Sequence, residues 1–170
     1  MPDRIDTERL LLRPIMLEDA EDLHAFFSDP LAMRYFGNLH HRFDETEKWV
    51  HRTLRSPRNS CREYALVIHG TVIGKAGIWD APELGFFLRR DQWGKGLMSE
   101  ALSALVPHLF AQMEITEMRA DVDPDNAASL HLLKKHGFRE THRVRSTLCI
   151  DGLWCDSVYL NLPCPTAAQL

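Results

Sequence analysis

Glu83, the glycines Gly94 and Gly96, and the pair Asn126 and Ser129 are the residues of this chain whose types and spacing could do chemistry. A glutamate can take a proton from an attacking nucleophile, and a hydroxyl can give one to a leaving group. Asn126 and Ser129 are three apart and so can share one face of a helix, although helix initiation by Asp125 or Asn126 needs no ligand at all. The run Glu-Leu-Gly-Phe-Phe-Leu-Arg-Arg-Asp-Gln-Trp-Gly-Lys-Gly-Leu-Met-Ser-Glu-Ala-Leu, from Glu83 to Leu102, passes from a strand-like segment through the glycines into an amphipathic helix. Such a helix start carries unsatisfied N–H groups and the positive end of the helix dipole, which suits an anion. Arg89, Arg90 and Lys95 cluster beside it. On the pattern alone, an anion site and a plain structural turn both fit.

Familiar phosphate and metal motifs fail. Lys95 is followed by Gly96 and lacks the upstream glycine of a Walker loop, and Ser99 stands where GxGxxG needs its third glycine. A nucleoside triphosphatase or nicotinamide dehydrogenase is thereby disfavoured against a binder of another phosphorylated cofactor. Asp121, Asp123, Asp125 and Asn126 resemble the start of a calcium loop, but its sixth position lacks Gly and its twelfth is Leu132. His40-His41 and the other histidines form no metal-ligand set, so no metal is expected. Cys61, Cys149, Cys155 and Cys164 contain no CxxC pair.

The elements that position these residues follow from periodicity and breakers. Glu8–Pro14 reads as a strand. Leu17, Ala20, Leu23, Phe26 and Phe27 recur at helical spacing until Pro30, and a second short helix is expected over Leu31–Phe36 before a Gly37-Asn38 turn. Asp44-Glu45-Thr46-Glu47 opens a helix carrying Trp49, Val50 and Leu54, ended by Ser56-Pro57. Tyr64–Ile68 and Thr71–Ile78 form a hairpin around His69-Gly70, and Glu83–Leu88 supplies the next strand after Asp80-Ala81-Pro82. The helix from Gly94 or Gly96 carries Pro107, which predicts a kink or a break one turn early. A strand over Ile115–Val122, a helix over Asn126–His136 ending at Gly137, and a strand pair joined near Asp151-Gly152 complete the order. This order predicts an α/β (α+β) fold with a mixed, mostly antiparallel central sheet flanked by helices.

The 170 residues, with 45% hydrophobic and 26% charged, suit one globular domain, placed at residues 1–162 with a loose tail over 163–170. The formal net charge of -4 disfavours a broad nucleic-acid surface. The start lacks an apolar signal core, and no stretch approaches the roughly 20 apolar residues of a membrane span. A cytoplasmic setting is expected.

The chain resembles the GNAT N-acetyltransferase superfamily, in its branch of ribosomal-protein N-terminal (alanine) acetyltransferases and relatives. The likeness rests on Thr7-Glu8-Arg9-Leu10-Leu11-Leu12-Arg13-Pro14, Glu18-Asp19-Ala20, Trp93-Gly94-Lys95-Gly96, Asn126-Ala127-Ala128-Ser129 and His136-Gly137-Phe138, in that order. It implies acetyl-CoA as cofactor, with its pyrophosphate on the backbone of Trp93, Gly94, Lys95, Gly96, Leu97, Met98 and Ser99. It further implies that the strand ending at Leu88 and Arg89 splays from its neighbour to hold the pantetheine arm. The family usually has Arg or Gln at Trp93 and Gly or Ala at Met98, which weakens side-chain transfer there more than cofactor binding. By the same resemblance Glu83 matches the strand position from which some members recruit a general base, a solvent-exposed or substrate-orienting carboxylate being the alternative, while Asn126 contacts the CoA arm and Ser129 lies near the thioester sulfur. The acid-catalytic tyrosine of many members is replaced by Leu133. Tyr35, Phe36 and Trp79 are candidates to line an acceptor channel, as is Trp154, and Glu140 to orient the amine. Lys134 and Lys135 are candidate phosphate contacts or plain exposed lysines. The implied reaction is acetyl transfer to a primary amine, with a protein or peptide N-terminus favoured. A small amine or polyamine acceptor, and a CoA-binding sensor without transfer, remain alternatives. Monomer and homodimer are both compatible with the sequence.

Overall fold

The computed structural model describes residues 3–37, 39–150 and 152–165. Asn38, Asp151 and the tail residues 166–170, on which parts of two turns and of the tail were expected, lie outside the described residues. Strands β1 (Ile5–Asp6), β2 (Leu11–Pro14), β3 (Arg62–Ile68), β4 (Thr71–Asp80), β5 (Glu83–Leu88), β6 (Glu117–Val122), β7 (Arg139–Ile150) and β8 (Leu153–Pro163) form one sheet ordered β1-β2-β3-β4-β5-β6-β8-β7. Its helices are α1 (Ala20–Phe27), α2 (Pro30–Met33), α3 (Phe43–Arg55), α4 (Leu97–Gln112) and α5 (Ala127–Lys135). Every strand pair is antiparallel except β5 with β6, which is parallel and meets at the single register pair Glu83 and Arg119. The mixed, mostly antiparallel sheet expected from the element order is thus present.

The two-residue period of the strands divides the interior. Along β3, Tyr64 and Leu66 enter one core while Ala65 and Val67 enter the other. The first core packs Leu97, Ala101, Leu102, Leu105 and Leu109 of α4 with Leu133 of α5 and Phe138. The second joins Leu23, Phe26 and Phe27 of α1 to Met33 and to Val50 of α3. Burying one such leucine is worth about 2 kcal/mol, and both cores meet the sheet on either side of β5, so the strand that carries Glu83 is held from both faces.

Four local expectations change. Helix α4 runs from Leu97 to Gln112 without the early break predicted at Pro107. Ser103 and Pro107 are both exposed, so the carbonyl deprived of its N–H partner lies on the solvent side. Glu8 to Leu10 is a turn rather than strand, closed by Thr7 N–H to the Leu10 carbonyl at 2.8 Å. The expected helix over Leu31–Phe36 is the shorter Pro30–Met33, with Pro30 in its first turn and Asp29 capping it through Leu31 N–H at 3.0 Å. Strand β8 includes Pro163, and Cys164 N–H bonds the Thr116 carbonyl at 2.8 Å, so the expected loose tail is held at its first residues. The hairpin at His69-Gly70 forms as expected, both residues having positive φ (49° and 84°) as a tight two-residue turn requires.

Candidate active site

The loop before α4 is built as an anion cradle. Gly94 and Gly96 sit at φ 72° and 75°, where a residue with a Cβ is strained, and no atom within 4 Å would meet a Cβ at Gly94. No N–H from Gly94 through Ser99 has an acceptor among the described residues. These free donors run directly into the N-terminal end of a 16-residue helix, a combination that suits an anion. The cationic side chains nearby are already engaged: Arg89 pairs with Asp91 at 3.2 Å, Arg90 with Asp29, and Lys95 Nζ with Gln92 Oε1 at 3.2 Å. The cradle is therefore mainly backbone.

Distant segments hold it in place. Glu100, in the first turn of α4, accepts from Thr7 Oγ1 at 2.6 Å and from the N–H of Arg9 at 2.8 Å, while Arg9 Nη1 donates to the Lys95 carbonyl at 2.8 Å. Trp93 is half-exposed and donates its indole N–H to the Leu88 carbonyl at 2.8 Å, tying the loop to the end of β5. Ser99 Oγ lies 3.1 Å from His136 Nε2, joining α4 to the end of α5. Burial, helped by Lys135, holds the His136 pKa below its usual value.

Beyond Glu83 and Arg119 the strands β5 and β6 part, and a cavity of about 760 Å³ opens along the gap. Glu83, Asn126, Ser129, Tyr35, Phe36 and Trp79 all line it, so six of the side chains singled out in sequence are brought together. Leu88, Arg89 and the loop from Trp93 to Ser99 lie outside this lining, on the adjoining anion cradle. Glu140 belongs to neither. It sits exposed on β7, paired with Arg143 at 2.7 Å and Lys134 at 3.7 Å, which also accounts for Lys134.

Glu83 is half-buried, and its pKa is raised, first by burial and then by the neighbouring charges of Asp121 and Asp80, against a lowering by Arg119. Asn126 caps α5, its Oδ1 accepting from Ser129 N–H at 3.2 Å. The helix-capping reading thus holds for one end of the amide, while its Nδ2 and the Ser129 hydroxyl make no hydrogen bond among the described residues. Leu133, at the position where many relatives of the resembled family carry tyrosine, lines the same wall and is fully buried. Tyr35 Oη donates to the Asp125 carbonyl at 3.0 Å, which closes the cavity beside Asn126.

The acetyltransferase (GNAT) domain family matches residues 9–139. This chain belongs to the GNAT family. The GNAT chain is 30% identical over 152 residues to the N-acetyltransferase p20 of Bacillus licheniformis, covering 82% of this chain and 84% of that protein. It is 35% identical over 89 residues to the [ribosomal protein uS5]-alanine N-acetyltransferase of Escherichia coli, covering 52% of this chain and 46% of that one. Its fold superposes with TM-score 0.84 on RimL, the ribosomal L7/L12 α-N-protein acetyltransferase in complex with coenzyme A, at 20% identity, over 94% of this chain and 97% of that chain. As a GNAT enzyme it is an acyl-CoA-dependent N-acetyltransferase, and acetyl-CoA is its cofactor.

The residues of the cradle fit that cofactor. Free N–H groups and open glycines suit a pyrophosphate, and a strand edge left unpaired beyond Glu83 suits a linear arm. Sequence reasoning did not single out His40, Glu63, Lys75, Asp123 or Asp156 as site residues, yet all line the cavity. Lys75 had a visible signal, a lysine inside the apolar run Thr71–Ile78. The acids had none, because Glu63 reaches the cavity through the pairing of β3 with β4, and Asp123 and Asp156 through that of β6 with β8. Among the described residues, no helix is long and apolar enough to cross a membrane.

Proposed function

We propose that this GNAT enzyme acetylates the primary amine of a protein or peptide N-terminus, with Glu83 as general base and Ser129 as the group serving the departing thiolate. The observation that carries the reading is Glu83 itself, a half-buried carboxylate of raised pKa in a cavity whose wall adds Asp121, Asp123 and Asp156. Such a wall attracts a cationic amine, and a carboxylate shifted toward neutrality is better matched to removing its proton. The volume lies within the roughly 300–1,000 Å³ of ligand pockets, room enough for the end of an extended chain.

When bound, acetyl-CoA supplies an activated thioester carbonyl. The backbone N–H groups of Gly94 to Ser99 would receive its phosphates, the free edge of β5 up to Leu88 and Arg89 its arm, and Asn126 Nδ2 a polar group of that arm. Glu83 takes the proton released as the amine nitrogen replaces sulfur on the acyl carbon, directly or through one water. Ser129 Oγ would position the departing thiolate by a hydrogen bond, or pass it a proton that water returns to the hydroxyl. Tyr35, Phe36 and Trp79 orient the acceptor, so much of the acceleration comes from alignment.

The test is to incubate the purified chain with acetyl-CoA and a panel of peptides with free or blocked N-termini, together with small amines and polyamines, and to read acetyl products by mass spectrometry. Time-dependent acetylation confined to free-N-terminal peptides is expected. Turnover of small amines alone would replace the peptide reading, and cofactor binding with no turnover across the panel would favour a CoA-binding module.

A further inference from the structure

We propose that the buried pair Glu63 and Lys75 is a specificity subsite for a neutral hydroxyl or carboxamide group carried by the acceptor, a reading that rests on the amine-acceptor cavity proposed above. Lys75 Nζ donates to Glu63 Oε1 at 2.6 Å, and the two side chains are only 4% and 1% exposed. Both nevertheless line the cavity, so the pair forms its floor.

The pair is incomplete. Glu63 Oε2 is the one buried side-chain polar atom with no hydrogen-bond partner among the described residues. An orphaned buried acceptor on a charged group is costly, and native proteins keep few of them. Lys75 has three donors, yet its ammonium makes one hydrogen bond among the described residues. Its other surroundings are the rings of Phe87 and Trp49, at 4.9 and 5.6 Å. On β5, diagonal to Lys75 in the ladder, Gly85 raises no side chain; a Cβ there would stand 3.5 Å from Lys75 Nζ and 3.4 Å from Trp79 Cδ1. Glycine at this place leaves the floor open beside the ammonium.

The charges of the pair cancel, so a further charge brought to this buried pair would go uncompensated. A group that both donates and accepts completes the pair: it gives a proton to Glu63 Oε2 and receives one from Lys75 Nζ. Hydroxyl and carboxamide groups do both. Glu83, Gly85 and Phe87 alternate onto one face of β5, which puts Gly85 about 7 Å along the strand from Glu83. That spacing is about two residues of extended chain, so the recognised group belongs to the first or second residue of a peptide acceptor. In a small amine it would be the equivalent tail.

The test compares kcat/KM for matched acceptors: peptides carrying Thr or Val at residue 1 or at residue 2, and an amino alcohol against the alkylamine of the same length. The wild-type chain is expected to favour the hydroxyl member of at least one pair by about tenfold or more, the cost of leaving a buried acceptor unpaired. In the double variant Glu63→Leu with Lys75→Met the ratio should fall to within about twofold, with acetyl-CoA affinity and circular dichroism retained, since apolar replacement of a whole buried pair is often neutral for folding. If that variant does not fold, Glu63→Gln should still cut the preference at least about threefold, because an amide presents a donor where the carboxylate presented only acceptors. Equal rates within every wild-type pair, or a preference that survives both variants, would overturn the subsite. Turnover of small amines but not peptides would overturn the peptide reading while the amino-alcohol pair still decides the subsite. No turnover of any pair would overturn both.

Discussion

Arg9 and Glu100 clamp the chain's first turn onto the anion cradle through paired hydrogen bonds, the Arg9 backbone N–H to Glu100 Oε1 at 2.8 Å and Arg9 Nε to Glu100 Oε2 at 2.6 Å. Burial alone would raise the Glu100 carboxyl, but donors from Thr7 and Arg9 outweigh it and hold the pKa below its usual value. Glu100→Ala removes all three contacts at a site only 16% exposed. It is expected to cost about 2 kcal/mol of stability, the scale of a hydrogen-bonded buried charge, and to weaken acetyl-CoA binding several-fold. Thermal unfolding and calorimetric titration check the two effects; an unchanged Kd would detach the clamp from the cradle.

Gly96→Val places a β-branched residue at φ 75°. The left-handed conformation costs an L-residue about 1–2 kcal/mol, so the loop must shift and its N–H groups lose their common direction. Acetyl-CoA affinity should drop at least about tenfold in protein that remains folded, given that several N–H groups share one anion. Wild-type affinity in a folded variant would remove the cradle as the phosphate site.

Glu83→Gln tests the base. With Glu83 as the proposed base, the wild-type rate should rise with pH through a pKa above the ordinary glutamate value, the direction set by burial and by Asp121 and Asp80. The variant should lose about a hundredfold in kcat and lose that acidic limb. A wild-type pH profile in the variant would assign the proton to another group.

Ser129→Ala should lower kcat by about a hundredfold, the lower range for a lost proton donor, while acetyl-CoA Kd holds. Equal loss in kcat and affinity would mark Ser129 as a positioning residue.

Acid should destabilise the fold before the carboxylates titrate. Burial lowers the pKa of His40, His108 and His136. Between those lowered values and the ordinary histidine value of about 6.5 the unfolded chain binds more protons, so stability rises with pH across that window. Glu83 acts in the opposite sense, its raised pKa favouring the folded state as pH falls. The melting temperature should therefore be higher at pH 7.5 than at 5.5, with a larger difference in Glu83→Gln. Melting curves at the two pH values decide it; an inverted order would contradict the histidine assignment.

Much of the geometry of the loop before α4 and of the start of α5 was legible because its signals are local. Gly94 and Gly96 announce positive φ, and Asn126 announces a cap, within a few residues of where they act. The acceptor side depends on pairings distant in sequence. Lys75 reads as a stray charge until β3 brings Glu63 beside it, and the opening between β5 and β6 follows from one parallel contact that no periodicity encodes. Pro107 misled for a related reason: its effect depended on which way Ser103 faced, and that side proved to be solvent. Glu140 misled because its neighbours Lys134 and Arg143 claim it at the surface.

The single contact between Glu83 and Arg119 leaves β5 with a bare edge in the middle of an eight-stranded sheet. Elsewhere a bare edge invites any passing strand, and proteins cover it or load it with charge. Here β4 already pairs the other edge of β5, so what stays free is a short run of backbone on the side of β6, facing the cavity. Whatever pairs with that run of β5 meets backbone rather than side chains, so its hold does not depend on which side chains stand at Trp93 and Met98.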